Sequence, residues 1–297
     1  MDHRLILLSG LLSCLTFQVI AQSKLIAPGA KLRQLSAEYT FTEGPAVDAT
    51  GNVYFTDQPN DRILKWSAAD GRLSTYMQDA GRANGLYFDH QGNLLACADE
   101  KNELWRIGPD KQVTVLLDNF QGKRFNGPND LWVAPEGGVY FTDPFYKRDY
   151  WEHSEPELEG RHVYYLAPGA SAPVPVATDL EQPNGIIGTP NGKTLYVADI
   201  GAGKTYAYRI GKDGALTDKR LFTELGSDGM TIDHKGNLYL TGKGVTVFNK
   251  RGEQIEHIDV DERWTANVTF GGPKQQTLFI TAMKSVYALD MKVHGVR

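Results

Sequence analysis

Cysteine is scarce in this chain, with only two among 297 residues, Cys14 and Cys97. Cys14 lies in an N-terminal segment that we expect to be removed. The mature chain would then keep a single cysteine and form no intrachain disulfide, so packing must hold the fold together. Cys97 lies inside an apolar strand pattern, which predicts a buried, inert thiol and not a nucleophile.

Basic stripes, helical periodicity and a serine nucleophile motif are also lacking. The formal net charge is −5 and no run of Lys and Arg occurs, which argues against nucleic acid as a partner. Apolar residues nowhere keep the 3.6-residue period of a long helix. There is no G-x-S-x-G segment, and the absence of this nucleophile elbow argues against a serine hydrolase.

The longest apolar run lies at the N-terminus, over residues 5–20. Small residues ending at Ala21 then offer a cleavage site before Gln22, which is the pattern of a secretory signal peptide. The run is too short to predict a transmembrane helix. A buried strand is the alternative interpretation of the same run.

These patterns predict that the chain consists of a leader and one domain. We predict a signal peptide over residues 1–21 and a single domain over residues 22–297, with the mature protein in the periplasm or outside the cell. Cys14 lies in LLSC, which loosely resembles a lipoprotein processing site, so a lipid anchor there is the alternative.

One short unit returns along the whole chain: an apolar run, a Gly-containing turn, a second apolar run and, usually, an acidic residue. The first copy, EGPAVDATGNVYFTD, spans residues 43–57. Copies are about forty residues apart, with one longer interval, which is typical of β-propeller blades. We therefore predict an all-β, six-bladed β-propeller. The second run of each copy is marked by Tyr54, Leu95, Tyr140, Tyr196, Tyr239 and Phe279.

Two terminal strand patterns, residues 31–40 and 285–293, have no partner within the repeats. Pairing the N-terminal strand into the last blade would close the ring and remove exposed edges. The longer interval holds an insertion over residues 145–162, which is polar and aromatic. The insertion is either a functional loop on one face or a disordered surface excursion.

An oxygen-bearing side chain stands at the same position of every repeat, just before the innermost strand. Because innermost strands line the central channel, equivalent positions should converge at one mouth. Carboxylate and amide oxygens without His or Cys favour a hard divalent cation, Ca²⁺ above Mg²⁺ or Mn²⁺. The alternative is that Asn-Gly and Asp-Gly pairs are only turns, although Glu43 has poor turn propensity. The six residues are Glu43, Asn84, Asn129, Asn184, Asp228 and Asn267.

Four short motifs in this order resemble the senescence marker protein/gluconolactonase family, which includes regucalcin. They are EGP at residues 43–45, PNDL at 128–131, PNG at 183–185 and SDGM at 227–230. GKRFNGPNDL followed by VYFTDP is particularly similar to the bacterial gluconolactonase branch. The resemblance implies a six-bladed propeller with one divalent metal at the channel mouth and an enzyme that hydrolyses sugar lactones or other cyclic esters.

Carried over by position, the resemblance implies that Glu43, Asn184 and Asp228 are metal ligands, with Asn129 at or near the metal. It also implies that Asp228 is the general base. Ca²⁺ is the expected cofactor, with Mg²⁺, Mn²⁺ or Zn²⁺ as alternatives. Asn84 and Asn267 match no family ligand and are interpreted as channel lining.

The resemblance also implies residues that bind substrate. Arg124 is the best candidate for the family's substrate-contacting arginine, although a lengthened loop leaves open that it is a surface residue. Asn129 would contact substrate, with Asp130 supporting it. Tyr146, in the insertion, is a further candidate, and aromatic insertion residues would set substrate preference if the loop covers the mouth.

The chemistry fits these residue types directly. A cation that polarises a lactone carbonyl stabilises the oxyanion formed on water attack, and a carboxylate accepts the proton. The expected partner is therefore a small-molecule sugar lactone. Two alternatives stay open: a non-catalytic propeller that binds a sugar, peptide or protein, and a related enzyme of the phosphotriesterase or strictosidine-synthase type.

Overall fold

A computed structural model describes residues 23–296 of the chain. The predicted signal peptide, its cleavage site before Gln22 and Cys14 lie outside the described residues. Over residues 23–296 no helix is long and apolar enough to cross a membrane. Within this range the chain is built from β-strands and one short 3₁₀ turn, Gln58–Asn60.

The described strands form six four-stranded antiparallel sheets, the blades. A strand β1 (Arg33–Ser36) precedes the first blade. Blade 1 contains β2 (Thr42–Val47), β3 (Val53–Asp57), β4 (Arg62–Trp66) and β5 (Leu73–Gln78). Blade 2 contains β6 (Ala83–Phe88), β7 (Leu94–Ala98), β8 (Glu103–Ile107) and β9 (Val113–Leu117). Blade 3 contains β10 (Leu131–Val133), β11 (Val139–Asp143), β12 (His162–Leu166) and β13 (Val174–Ala177).

The remaining blades repeat the same order. Blade 4 contains β14 (Pro183–Gly188), β15 (Thr194–Asp199), β16 (Lys204–Ile210) and β17 (Leu216–Thr223). Blade 5 contains β18 (Met230–Ile232), β19 (Leu238–Gly242), β20 (Gly244–Phe248) and β21 (Gln254–Ile258). Blade 6 contains β22 (Asn267–Gly271), β23 (Thr277–Ala282) and β24 (Ser285–Asp290), with β1 as its fourth strand.

The second strand of a blade is rich in apolar residues because it is buried on both faces. All five residues of β3, VYFTD, are buried, because neighbouring blades cover both faces of a second strand. Such strands read as short continuous apolar runs bounded by turns. Trp132 and Tyr140 of blade 3 share one apolar cluster with Ile187 and Leu195 of blade 4, so the core lies between blades. Cys97 lies in this kind of second strand and is fully buried.

The ring closes through β1, which pairs antiparallel with β24. Gln34 lies opposite Tyr287, and its Nε2 atom donates to Ser285 Oγ at 3.0 Å. The predicted six-bladed propeller, closed by the N-terminal strand, is confirmed. The predicted strand bounds were too wide: β1 ends at Ser36, because the backbone amides before β2 donate to a carboxylate instead of to the sheet.

Candidate active site

The six oxygen-bearing residues of the repeat are called the register residues below. Each is the first or second residue of its inner strand or lies two residues before that strand. Five of them are buried and Asp228 is half-buried. They surround one mouth of the central channel, on the face where the chain enters each inner strand. The repeat pattern therefore places side chains from distant parts of the sequence within reach of one another.

Asn184 and Asp228 form the best-defined pair at this mouth. Asn184 Nδ2 donates to Asp228 Oδ1 at 2.8 Å and to the Tyr146 hydroxyl at 2.8 Å. The other carboxylate oxygen, Asp228 Oδ2, accepts a hydrogen bond from Trp264 Nε1 at 2.6 Å. Both N–H groups of the Asn184 amide are therefore used, and the Asp228 carboxylate is fixed at both oxygens.

Glu43 lies in the same group of side chains. Its Oε2 atom accepts hydrogen bonds from the Gly44 backbone amide at 2.9 Å and from Asn267 Nδ2 at 3.3 Å. Glu43 is 3% exposed, so its carboxylate has left bulk water almost completely. Asn267, interpreted from the sequence as channel lining, therefore contacts a candidate metal ligand.

Burial raises the pKa of both carboxylates, and repulsion by Asp228 raises that of Glu43 further. Burial and then the charge of Asp228 hold the pKa of Glu43 well above its usual range. Burial raises the pKa of Asp228 to about 6, against the opposing hydrogen bonds from Trp264 and Asn184 and the charge of Arg148. A buried and a half-buried carboxylate in one group of side chains form a site that favours a cation.

The side chains present fit a hard divalent cation. Asn184 Oδ1 is buried and has no hydrogen-bond partner among the described residues, although a buried amide oxygen normally has one. That oxygen, with the Glu43 and Asp228 carboxylates, makes an oxygen-only donor set. Within residues 23–296 no three Asp, Glu, His or Cys side chains cluster in a way that could hold a metal, so this donor set consists of two carboxylates and an amide oxygen.

Residues 41–284 match the family described as SMP-30/Gluconolactonase/LRE-like region. The chain belongs to this family. The match runs from just before β2 to the turn before β24, so it includes the site residues, blades 1–5 and the first two strands of blade 6. The family predicted from the four short motifs is confirmed.

Named relatives agree with this assignment. A gluconolactonase of Zymomonas mobilis is 28% identical over 291 residues, covering 88% of this chain and 81% of the relative. The structure of a gluconolactonase from Xanthomonas campestris is 33% identical, covers 90% of this chain and 91% of that one, and superposes with a TM-score of 0.83. The lactonase class predicted from the sequence is confirmed at this level.

A more distant structure shows the fold alone. Regucalcin from Agrobacterium tumefaciens, a calcium-binding protein, is 20% identical and superposes with a TM-score of 0.75. It covers 90% of this chain and 96% of its own length. The whole ring, not a subset of blades, is therefore shared between the two propellers.

Asn129 and Asp130, predicted near the metal and substrate, lie on the floor of the site. The Asn129 carbonyl accepts a hydrogen bond from the Gly85 backbone amide at 2.8 Å, which joins two inner strands directly. Asp130 Oδ1 accepts from its neighbour Leu131 at 2.9 Å, and burial raises the pKa of Asp130 to about 7. A role for either side chain in binding substrate stays a prediction.

The inner strands approach closely here because a glycine follows four of the six oxygen-bearing residues: Glu43, Asn84, Asn184 and Asp228. A Cβ added at Gly44 would lie 2.0 Å from the Asn84 carbonyl oxygen, and one at Gly229 would lie 1.9 Å from the Asn267 side chain. Only glycine permits inner strands to approach this closely. A cavity of about 310 Å³ adjoins these residues: its lining includes Gly44, Asp130 and Asn267 as well as inner-strand residues such as Leu86, Trp132 and Ile186.

Arg124 lies at the edge of the insertion. Its guanidinium pairs with Glu157 at 2.7 Å, and its backbone amide donates to the same carboxylate at 2.9 Å. Its side chain is 34% exposed. The described contacts of Arg124 are thus with the insertion and not with the paired carboxylates, and substrate binding by Arg124 stays a prediction.

Tyr146, in contrast, lies directly on the site. Its hydroxyl accepts the hydrogen bond from Asn184, and burial raises the pKa of that hydroxyl. The insertion therefore covers the mouth at this point, as expected for a functional loop.

Three residues around the site were missed from the sequence: Trp264, Arg148 and Asp99. Trp264 belongs to the connection before β22 and contacts Asp228. Arg148 and Asp99 contact each other beside the mouth. Asp99 had a visible signal, since it is the acidic residue that ends a repeat, but neither Trp264 nor Arg148 occupies a repeated position.

Proposed function

We propose that this chain is a divalent-metal-dependent lactonase that opens a sugar lactone, with Asp228 as the general base. One observation carries the proposal. A buried carboxylate, Glu43, a half-buried one, Asp228, and an unpaired amide oxygen converge at one channel mouth, in a chain whose relatives are gluconolactonases and lactonases. A propeller that only displays a binding surface has no need of that arrangement.

Glu43, Asn184 Oδ1 and Asp228 would hold the metal, with Asn129 beside them. When bound there, a divalent cation supplies Lewis acidity to a substrate carbonyl oxygen. Ca²⁺ is the proposed metal because all the donors are oxygens and two are carboxylates. The calcium-binding name of the regucalcin structure supports the same choice.

The proton-transfer step falls to Asp228. Trp264 and Asn184 each hold one of its carboxylate oxygens, which leaves further lone pairs for the proton of an attacking water. In the metal-free site burial raises the pKa of Asp228 to about 6, and a cation bound there would favour the ionised form that accepts a proton. Tyr146 and Trp264 lie over the site and limit its access to bulk water.

A lactone panel with controlled metal content tests the proposal. Purified protein is stripped with a chelator, then assayed with D-glucono-δ-lactone, a γ-aldonolactone and an aryl phosphotriester, with and without added Ca²⁺. We expect lactone opening that is lost on stripping and restored by Ca²⁺. Equal rates before and after stripping would contradict metal dependence, and turnover of the phosphotriester alone would favour the related esterase class.

We further propose that the mature protein begins near Gln22 and works in the periplasm or outside the cell. The support is the N-terminal apolar run with its small-residue cleavage site. Intact-mass measurement of protein recovered from the periplasmic and secreted fractions tests this. An intact Met1 would contradict cleavage, and a lipid on Cys14 would show a lipoprotein signal instead.

A further inference from the structure

Four side-chain contacts tie the insertion and the blade beside it to one residue, Asp99. Arg148 Nε donates to Asp99 Oδ2 at 2.7 Å, and the Tyr150 hydroxyl donates to the same oxygen. Gln58 Nε2 donates to it as well, at 3.1 Å, and Trp151 Nε1 donates to the Asp99 carbonyl at 2.7 Å. Asp99 is thus the anchor of the insertion, and its side chain is 3% exposed.

The repeat shows that this role is specific to blade 2. Asp57, Asp143 and Asp199 occupy the same position, at the end of the second strand. Each accepts hydrogen bonds from two consecutive backbone amides shortly upstream of its own blade's inner strand. In blade 2 the corresponding amide of Arg82 donates to a different carboxylate at 2.6 Å. The Asp99 carboxylate is thereby free to hold the insertion.

The anchored guanidinium has unused donors. Arg148 uses Nε for its hydrogen bond to Asp99, and its guanidinium carbon lies 5.6 Å from the centre of the Tyr146 ring. Nη1 and Nη2 make no hydrogen bond with the residues that the structure describes, and the side chain is 23% exposed. The Tyr146 hydroxyl contacts Asn184 at the mouth, so the guanidinium over the Tyr146 ring lies beside the mouth as well.

We infer that Arg148 binds the substrate hydroxyls of a polyhydroxylated lactone through Nη1 and Nη2, and that Asp99 positions it. This rests on the proposed lactonase function and names the residue that recognises the sugar hydroxyls. A guanidinium donates but cannot accept, so it recognises oxygen lone pairs. The sugar hydroxyls supply those lone pairs away from the reacting carbonyl, whereas an unsubstituted lactone ring has none there. Arg148 is therefore a specificity residue and Asp99 a positioning residue.

Two substrates of the same ring size separate this role from general catalysis. D-glucono-δ-lactone carries the hydroxyls and δ-valerolactone lacks them. We expect Arg148→Met to lower kcat/KM for the gluconolactone by about ten- to a hundredfold, mainly through KM, because hydrogen bonds to a charged group are lost. The loss of the Arg148 charge also raises the pKa of Asp228, so both lactones are assayed at a pH well above that pKa; under these conditions we expect a change below about threefold for δ-valerolactone. Arg209→Met is the control, since Arg209 is 67% exposed and pairs with Asp218 on an outer strand.

Asp99→Asn tests the positioning role. It should lower kcat/KM for the gluconolactone in the same direction as Arg148→Met. Added to Arg148→Met, it should have almost no further effect, because both changes remove one interaction. Additive losses would show a merely structural role for Asp99. Should Asp99→Asn fail to fold, Tyr150→Phe removes one of the hydrogen bonds to Asp99 and provides the same comparison.

A binding measurement makes the inference independent of turnover. D-glucono-δ-lactam, which this chemistry does not open, is titrated calorimetrically into metal-loaded wild type and Arg148→Met. We expect the variant to bind it about ten- to a hundredfold more weakly. Equal affinity, or equal kinetic losses on both lactones, would overturn the inference. A wild type that binds the lactam but opens neither lactone would contradict the proposed hydrolysis and leave the role of Arg148 intact.

Discussion

At the scale of single residues, the site depends on how Asp228 is held. Trp264 and Asn184 bind its two oxygens from different blades, so the carboxylate cannot rotate without breaking one of these hydrogen bonds. The shared register pointed to Asn184 and Asp228, since equivalent positions of a repeat converge by symmetry. Trp264 could not be found in that way, because it lies in a connection whose path depends on the packing of the finished ring.

Trp264→Phe should impair catalysis while sparing metal binding. Phenylalanine keeps most of the apolar ring but loses Nε1, so the Asp228 carboxylate loses one of its two orienting donors. We expect kcat for a lactone to fall by about tenfold, the effect of a hydrogen bond to a charged group. Trp66→Phe is the control, because Trp66 Nε1 is buried with no partner among the described residues. Equal kcat values for the two variants would contradict the orienting role of Trp264.

At the scale of elements, sequence patterns predicted buried strands well and exposed strands poorly. Second strands such as β7, LLACA, are buried along their whole length and stand out as apolar runs. The fourth strands of blades 1–5 were not predicted. In β9 the first three residues are exposed, and in β13 the first two are, so no apolar alternation marks them. Their backbone pairing with the third strands, and not their side chains, makes them strands.

The close approach of inner strands makes a second prediction. Gly44 has φ +44° and its added Cβ would lie 2.0 Å from the Asn84 carbonyl oxygen, whereas Gly29 has φ +74° with nothing within 4 Å. Both positions strain an alanine, but only Gly44→Ala also forces two inner strands apart. We expect Gly44→Ala to lower the free energy of unfolding by about 1–3 kcal/mol more than Gly29→Ala. Chemical denaturation of both variants measures the difference, and equal losses would contradict tight strand packing at the channel floor.

At the scale of the whole molecule, the ring is closed by pairing its two ends. This could be predicted from the sequence because two strand patterns were left over from the repeats, and an open ring would expose edges. The docking of the insertion over the mouth could not be predicted. The docking depends on Asp99, whose carboxylate binds the insertion and not the backbone amides of its own blade. Only a comparison of the hydrogen bonds of the four equivalent aspartates shows this difference.

Removing the closing strand should weaken the whole ring. Deleting residues 23–36 takes away β1 and leaves β24 as an unpaired edge. We expect the free energy of unfolding to fall by about 3 kcal/mol, which lowers Tm by roughly 6–12 °C in a domain of this size. We also expect the exposed edge to promote association. Calorimetry and light scattering measure both effects. An unchanged Tm together with a monomeric protein would contradict the closure.

Neutralising either site carboxylate should lower activity, through kcat for Asp228 and through Ca²⁺ affinity for Glu43. Asp228→Asn keeps an oxygen beside the metal but cannot accept the water proton, so we expect Ca²⁺ affinity to be largely kept. Its kcat should fall by about 10²–10⁴-fold. Glu43→Gln removes a ligand charge from a buried position, so we expect weaker Ca²⁺ binding and activity that added Ca²⁺ partly restores.

The most direct measurement is therefore kcat at saturating Ca²⁺ for Asp228→Asn and Glu43→Gln, compared with wild type on the same lactone. The account predicts a large loss for Asp228→Asn that no Ca²⁺ concentration reverses, and substantial recovery for Glu43→Gln. Near-full turnover of Asp228→Asn under these conditions would contradict its role as the general base.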